Sequence, residues 1–262
     1  MNWLEALILG LVQGLTEFLP VSSSGHLEIG KAILQIEAKE NLTFSIVVHG
    51  ATVLSILVVF WRDIRDLLVK SLTFKYNESS SYVLKIILSM VPVGIVGAFF
   101  KEEVESFFTG NLVLVGSMLL ITALLLVITN FVPAGVRKIR YLDAFVIGIS
   151  QALAVMPGIS RSGATISTAM LLGIKREEAA RFSFLMVILP ILAANFLDLK
   201  DMESAAQGAI GLFPLIVGFA AAFISGLAAC KWMLAIVRNG KLLYFGLYCL
   251  VVGSIAIITG LI

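Results

Sequence analysis

Gln13, Glu17, Ser22, Ser23, Ser24, Gly25 and His26 lie close together in an otherwise apolar stretch of the chain. Gln13 and Glu17 are four residues apart, so on a helix they share a face. An ionisable group in an apolar run is expensive and signals function. A carboxylate beside an amide oxygen suits a hard divalent cation that keeps several waters, which makes Glu17 and Gln13 the candidate metal ligands. The alternative is a Glu17 satisfied by backbone amides or by a structural pair with Arg161. Ser22 to Ser24 run into Gly25, which permits a tight turn whose amides cradle anionic oxygens. A serine here becomes a nucleophile only beside a base, and Glu17 and His26 are the bases within reach in sequence. Serines ahead of a helix also act simply as caps.

A second polar stretch is Pro157-Gly158-Ile159-Ser160-Arg161-Ser162-Gly163-Ala164-Thr165. The Arg161 guanidinium matches two phosphate oxygens in its planar fork. Ser160, Ser162, Gly163 and Thr165 supply hydroxyls and a turn beside it. Acid–base groups in the first stretch and a phosphate clamp in the second suggest one divided site. His49, with no acidic neighbour in sequence, reads as a pore-lining or packing group.

The chain that must position these groups has 262 residues, 59% hydrophobic and 14% charged, with mean hydropathy +1.02. A soluble domain carries roughly a quarter charged residues, so lipid is the main solvent here. Six apolar runs, about 42–61, 82–100, 111–132, 182–199, 209–231 and 242–262, approach the roughly 20 residues that cross a bilayer. Two further runs, 3–36 and 142–174, are broken by the polar stretches. Proline removes a donor and disrupts the preceding turn, so each reads as two half-helices around a polar tip. No cleavable signal peptide is expected, and Cys230 and Cys249 sit in apolar runs as small hydrophobes.

Connections 62–75, 133–141 and 231–241 are basic, whereas 101–110 and 198–208 are not. Lys and Arg collect on the cytoplasmic side. With the basic set inside, segment 142–174 must leave and return on the inner side. Segment 3–36 is then re-entrant from the outside, with both termini and the site on the outer face; a fully crossing first segment is the runner-up. A gapless shift of 138 residues pairs Gly10 with Gly148, Gln13 with Gln151, Ser22 with Ser160, Ser24 with Ser162 and Gly25 with Gly163. The expectation is an all-α membrane protein: one membrane domain over 1–262, six transmembrane helices and two re-entrant helical hairpins. It would form an inverted-topology repeat, with repeat 1 about 1–132 and repeat 2 about 142–262.

At these two stretches the sequence resembles the integral-membrane undecaprenyl-pyrophosphate phosphatases, the bacitracin-resistance family. Gln13 to His26 is similar to that family's first motif and its PVSSxGH turn, and Pro157 to Thr165 is similar to its PGxSRSGAT motif. The resemblance covers essentially the whole chain. It implies hydrolysis of undecaprenyl pyrophosphate to the monophosphate in the bacterial plasma membrane, recycling the carrier lipid for cell-wall synthesis. It also implies a divalent cation, Mg2+ or Ca2+. It makes Glu17, His26 and Arg161 the central residues, with Ser22 and Ser23 beside them and Ser23 preferred as nucleophile. Gln13 stands where many relatives have Glu, and Ser24 where some have Thr. The expected partners are a polyprenyl pyrophosphate lipid and the membrane, with no nucleic acid and a homodimer as one option for assembly. The rival from another class is a transporter or flippase that uses the same buried groups as a coupling site. A passive scaffold is disfavoured by the cost of those groups.

Overall fold

A long apolar run with few charges satisfies its own backbone in lipid by coiling, and the described apolar runs do so. The structure, a computed structural model, describes residues 1–34, 38–72, 77–108, 110–204 and 210–262, excepting the side chains of 38–42 and 197–204. Among the described residues the regular elements are α-helices, with one 3-10 turn at Thr129–Phe131 and one isolated β-bridge between Arg137 and Ile174. The helices are α1 (Trp3–Phe18), α2 (Ser23–Leu34), α3 (Ala38–Val59), α4 (Trp61–Ser71), α5 (Glu78–Phe99), α6 (Lys101–Glu105) and α7 (Leu112–Ile128). Then come α8 (Tyr141–Leu153), α9 (Arg161–Leu171), α10 (Arg176–Met186), α11 (Ile188–Ser204), α12 (Leu212–Arg238) and α13 (Leu243–Leu261).

Five described runs are long and apolar enough to cross a membrane: α5, α7, the α10–α11 run Arg176–Phe196, α12 and α13. The pair Thr43–Val59 and Trp61–Ser71, bent by 72°, makes a sixth if it is one span. These runs coincide with the apolar segments of the sequence. Two differences are informative. The expected 62–75 connection is largely helix, because α4 turns away at Phe60 and lies with Leu68 and Val69 exposed. The 182–199 run is split at Val187. Pro190 has no amide to bond the carbonyl of Met186, and its ring crowds that carbonyl.

The broken segments are hairpins of short helices. At 1.5 Å per residue α8 and α9 are roughly 20 and 17 Å long, well under the roughly 30 Å hydrocarbon thickness. The α8–α9 hairpin starts and ends at one point: Arg137 N–H donates to the Gly173 carbonyl and Lys175 N–H to the Arg137 carbonyl. Arg137 also pairs with Asp143 and donates to the carbonyl of Leu172. At the same end, Lys138 pairs with Glu78 and Arg181 with Asp63. A cavity of about 980 Å³ there is lined by Arg62, Lys70, Lys85, Lys138, Lys175 and Arg181, together with acidic residues. The Arg176 guanidinium packs onto Gly240, which brings the third basic connection to this end.

Small residues let the helices approach. α1 lies along α12, α7 along α13, α3 along α12 and α8 along α5, the four most extensive helix pairings. A β-carbon on Gly10 would come within 2.5 Å of the Gly218 carbonyl oxygen, and one on Gly148 within 2.3 Å of that of Ser89. Gly116 and Gly253 face each other in the same way. Such backbone contact is how helices associate without a hydrophobic drive between them. The outward faces stay apolar: Leu84, Ile87, Val91 and Ile95 of α5 are all exposed. Trp3, Trp61 and Trp232 are exposed as well.

Gly148→Ala should therefore force α8 from α5 and destabilise the fold by about 1–3 kcal/mol. Gly94→Ala on the open face of α5, where a β-carbon meets nothing within 4 Å, should be neutral or mildly stabilising. Thermal unfolding of both variants in detergent checks this; equal midpoints would show that the α5–α8 contact does not hold the hairpin.

Candidate active site

Each hairpin tip uses a serine hydroxyl to cap its second helix. Leu19 leaves α1 in an extended conformation, and Ser22 ahead of α2 adopts φ 69°, a left-handed conformation unusual outside glycine. Its hydroxyl accepts from the Gly25 amide at 3.2 Å and lies 3.3 Å from the Ser24 hydroxyl. In the second tip the Ser160 hydroxyl caps α9 by accepting from Gly163 N–H at 3.1 Å and lies 3.3 Å from that of Ser162. Ser22 and Ser160 are thus spent as caps. Ser23 and Arg161 come next, each the first residue of its helix.

The tips touch. A β-carbon on Gly25 would lie 3.0 Å from Gly158 Cα, and the Ser162 hydroxyl donates to the Leu19 carbonyl at 3.3 Å. Gly158 has φ 99° and packs against the Val115 carbonyl, where no side chain fits. The span α7 grips the second tip: Thr122 Oγ1 donates to the Gly158 carbonyl at 3.0 Å and accepts from Ser160 N–H at 2.9 Å. The span α13 reaches the first tip through Tyr248 and Cys249.

Glu17 lies where the tips meet. Its Oε2 accepts from Ser23 Oγ at 2.6 Å and from Gln13 Nε2 at 3.0 Å, and its Oε1 accepts from Arg161 Nη2 at 3.0 Å. The carboxylate side chain is 5% exposed and the guanidinium 28%. A cleft of about 290 Å³ opens from this cluster, and its wall includes Glu17, Ser22, Ser23, Ser24, Ser160 and Arg161. The capped N-termini of α2 and α9 flank it, so positive helix ends and Arg161 favour an anion there.

Other proposed residues sit further back. Thr165 bonds the Arg161 carbonyl and the Ser183 hydroxyl beneath the tip. Gly25 and Gly163 supply close approach and cap amides. The His26 ring is held outside the cleft wall: Nδ1 donates to the Ser22 carbonyl at 2.8 Å, so Nε2 accepts from the Tyr248 hydroxyl at 2.8 Å. His49, whose Nδ1 donates to the Ser45 carbonyl at 2.7 Å, does line the cleft, as do Gln151 and Asn195. The repeat had marked Gln151 as the counterpart of Gln13. Asn195 is an amide in an apolar run whose only signal was that cost, and Thr122 carried none.

Among the described residues no three His, Cys, Asp or Glu side chains converge to hold a metal. The donor set is one carboxylate, Glu17, beside Gln13 Oε1, which is buried with no protein partner. That fits a hard divalent cation that keeps waters and takes its other oxygens from phosphates.

Residues 6–255 match the family described as "Bacitracin resistance protein BacA". The chain belongs to this family. Curated BacA-family relatives include the undecaprenyl-diphosphatase of Bacteroides fragilis, 54% identical over 261 residues and 98% of both chains. That of Bacteroides thetaiotaomicron is 54% identical over the full length of both, and that of Salinibacter ruber 39% identical over 98% of this chain and 99% of its own. The family match, residues 6–255, takes in both tips.

Thr122→Val keeps the shape of the α7 contact but leaves a buried amide and carbonyl of the second tip without partners. It should cost about 1–3 kcal/mol, read as a lower thermal midpoint. An unchanged midpoint would mean that the tip holds its own shape.

Proposed function

We propose that this chain is an undecaprenyl-diphosphatase, hydrolysing undecaprenyl diphosphate to undecaprenyl phosphate and inorganic phosphate and so recycling the carrier lipid for cell-wall synthesis. The observation that carries the chemistry is the Ser23 hydroxyl 2.6 Å from a carboxylate that also holds Arg161. This is the nucleophile–base pair of covalent phosphoryl transfer. Glu17 takes the Ser23 proton as Oγ attacks the terminal phosphorus. The bond from that phosphorus to the bridging oxygen breaks, releasing the lipid monophosphate. Water then hydrolyses the serine phosphoester to inorganic phosphate and free Ser23. Arg161, Ser24 and the amides at the starts of α2 and α9 hold the phosphoryl oxygens, and positioning with charge stabilisation does most of the work. Ser160 and Ser162 shape the Arg161 turn, while Ser22 and His26 position Ser23 by fixing the first tip against α13. A divalent cation, Mg2+ or Ca2+, bound by Glu17 and Gln13 Oε1 would neutralise the diphosphate.

The topology belongs to the same proposal. The α1–α2 and α8–α9 hairpins are re-entrant segments of an inverted repeat, entering a bacterial plasma membrane from opposite faces. Three observations support this: the short helices, the shared start and end of the α8–α9 hairpin, and the paired contacts of α1 with α12 and α8 with α5. The basic connections gather at one end, which the positive-inside rule makes cytoplasmic. The cleft wall reaches Phe108 in the acidic 101–110 connection, so the cleft opens outward. The lipid tail lies between spans.

Purified wild type in detergent should release phosphate from undecaprenyl diphosphate and lose that release in EDTA. Ser23→Ala and Glu17→Gln should each lower turnover by roughly 10²–10⁴-fold. Arg161→Lys is preferable to Arg161→Ala, because it keeps a cation beside buried Glu17 while removing the fork; a loss on the order of 10²-fold is expected. A folded wild type that releases no phosphate would sink the phosphatase and leave the transporter. Separately, Glu103→Cys should react with an impermeant thiol reagent on intact cells and Val136→Cys should not, the native thiols being buried. The opposite labelling would reverse the sidedness.

A further inference from the structure

Gln151 lies on the buried face of α8, one turn beyond Ile147 and Gly148, and is 1% exposed. Neither its Nε2 nor its Oε1 has a protein partner. Buried amide atoms are nearly always hydrogen-bonded, and leaving both without a partner costs stability. The side chain lines the cleft that holds Glu17, Ser23 and Arg161. Its counterpart in the first hairpin, Gln13, donates Nε2 to Glu17. The residue that would play Glu17's part in the second hairpin is Val155, also in the cleft wall, so Gln151 has no carboxylate to serve.

We propose that Gln151 is a diphosphate-binding residue, a role that rests on the phosphatase reading of the same cleft. Its Nε2 donates to a phosphoryl oxygen of the bound lipid diphosphate, and its Oε1 accepts from water hydrating that group. A neutral amide suits the place. It adds a donor for the substrate without adding a cation that would compete with Arg161 for Glu17. A carboxylate there would repel the diphosphate.

The test compares wild type, Gln151→Met and Gln151→Glu in detergent with undecaprenyl diphosphate. Methionine keeps the length of glutamine and removes both polar atoms. The Met variant should raise KM by about tenfold or more, as loss of a hydrogen bond to a charged group does, with kcat within a few-fold of wild type. Its substrate-free thermal midpoint should be unchanged or higher, because no protein hydrogen bond is lost. The rise in midpoint that substrate gives a Ser23→Ala protein should shrink when Gln151→Met is added. Gln151→Glu should lose more than the Met variant. A lower midpoint with unchanged KM would make Gln151 a packing residue and overturn the proposal. A folded wild type showing neither turnover nor a substrate-dependent midpoint would overturn the phosphatase reading, and this proposal with it.

Discussion

Glu17 is 5% exposed on its side chain, and a charge taken that far from water must be neutralised where it sits. The neutralising groups come from three places: Gln13 one turn earlier, Ser23 across the first tip, and Arg161 from the far half of the chain. The third makes the others matter. To bring Arg161 to Glu17, two broken helices must meet tip to tip, and much of the surrounding structure arranges that meeting. Glycines at 10, 14 and 148 let the hairpins lie against α12 and α5. Thr122 fixes the second tip and Tyr248 the first. Removing either member of the pair leaves an uncompensated buried charge, typically worth about 3–5 kcal/mol. The pair therefore locks the fold as well as serving the site.

The two tips share a serine cap, though Ser22 is left-handed at φ 69° and Ser160 extended at φ -75°. Ser22 and Ser160 cap their helices through the amides of Gly25 and Gly163 at nearly equal distances. The next position holds Ser23 in one tip and Arg161 in the other, and each reaches the same carboxylate. A turn that points its first helical residue at the meeting place of the tips can present any chemistry there. One copy presents a hydroxyl and the other a guanidinium. Only the first hairpin carries an acid four residues after its glutamine, so that carboxylate serves both.

Much of this was legible in the residues. Proline and glycine interrupting apolar runs marked the tips, and run lengths marked five of the apolar helices, with ends off by up to seven residues, as at Arg238 against 231. The cost of Glu17 and Arg161 in lipid marked them as partners. Which serine meets Glu17 was not legible in the residues alone, although the resemblance preferred Ser23. It depends on how the tip folds: the Ser22 hydroxyl accepts from Gly25 N–H, while Ser23, the first residue of α2, donates to Glu17. His26 illustrates the same limit: four residues after Ser22 on a helix, its ring returns to the Ser22 carbonyl and meets Tyr248 from a span over 200 residues away. Thr122 looked like any polar residue in an apolar span. Its role exists only because Gly158 and Ser160 leave a carbonyl and an amide facing α7.

The resting pair also constrains how a diphosphate can bind. Arg161 is already satisfied by Glu17, and an incoming anion meets a carboxylate of its own sign. Coulomb repulsion between unit charges 4 Å apart is about 4 kcal/mol at an effective dielectric of 20, too much for Arg161 alone to offset while it still serves Glu17. Two changes relieve it, both within reach of the groups present. In the proposed mechanism, proton transfer from Ser23 to Glu17 would neutralise the carboxylate as the phosphoester forms, freeing the guanidinium for phosphoryl oxygens. A hard cation held by Glu17 would offset the same repulsion by supplying positive charge. Of the three groups that hydrogen-bond Glu17 at rest, Gln13, Ser23 and Arg161, the proposed mechanism requires Ser23 and Arg161 to change partners during turnover.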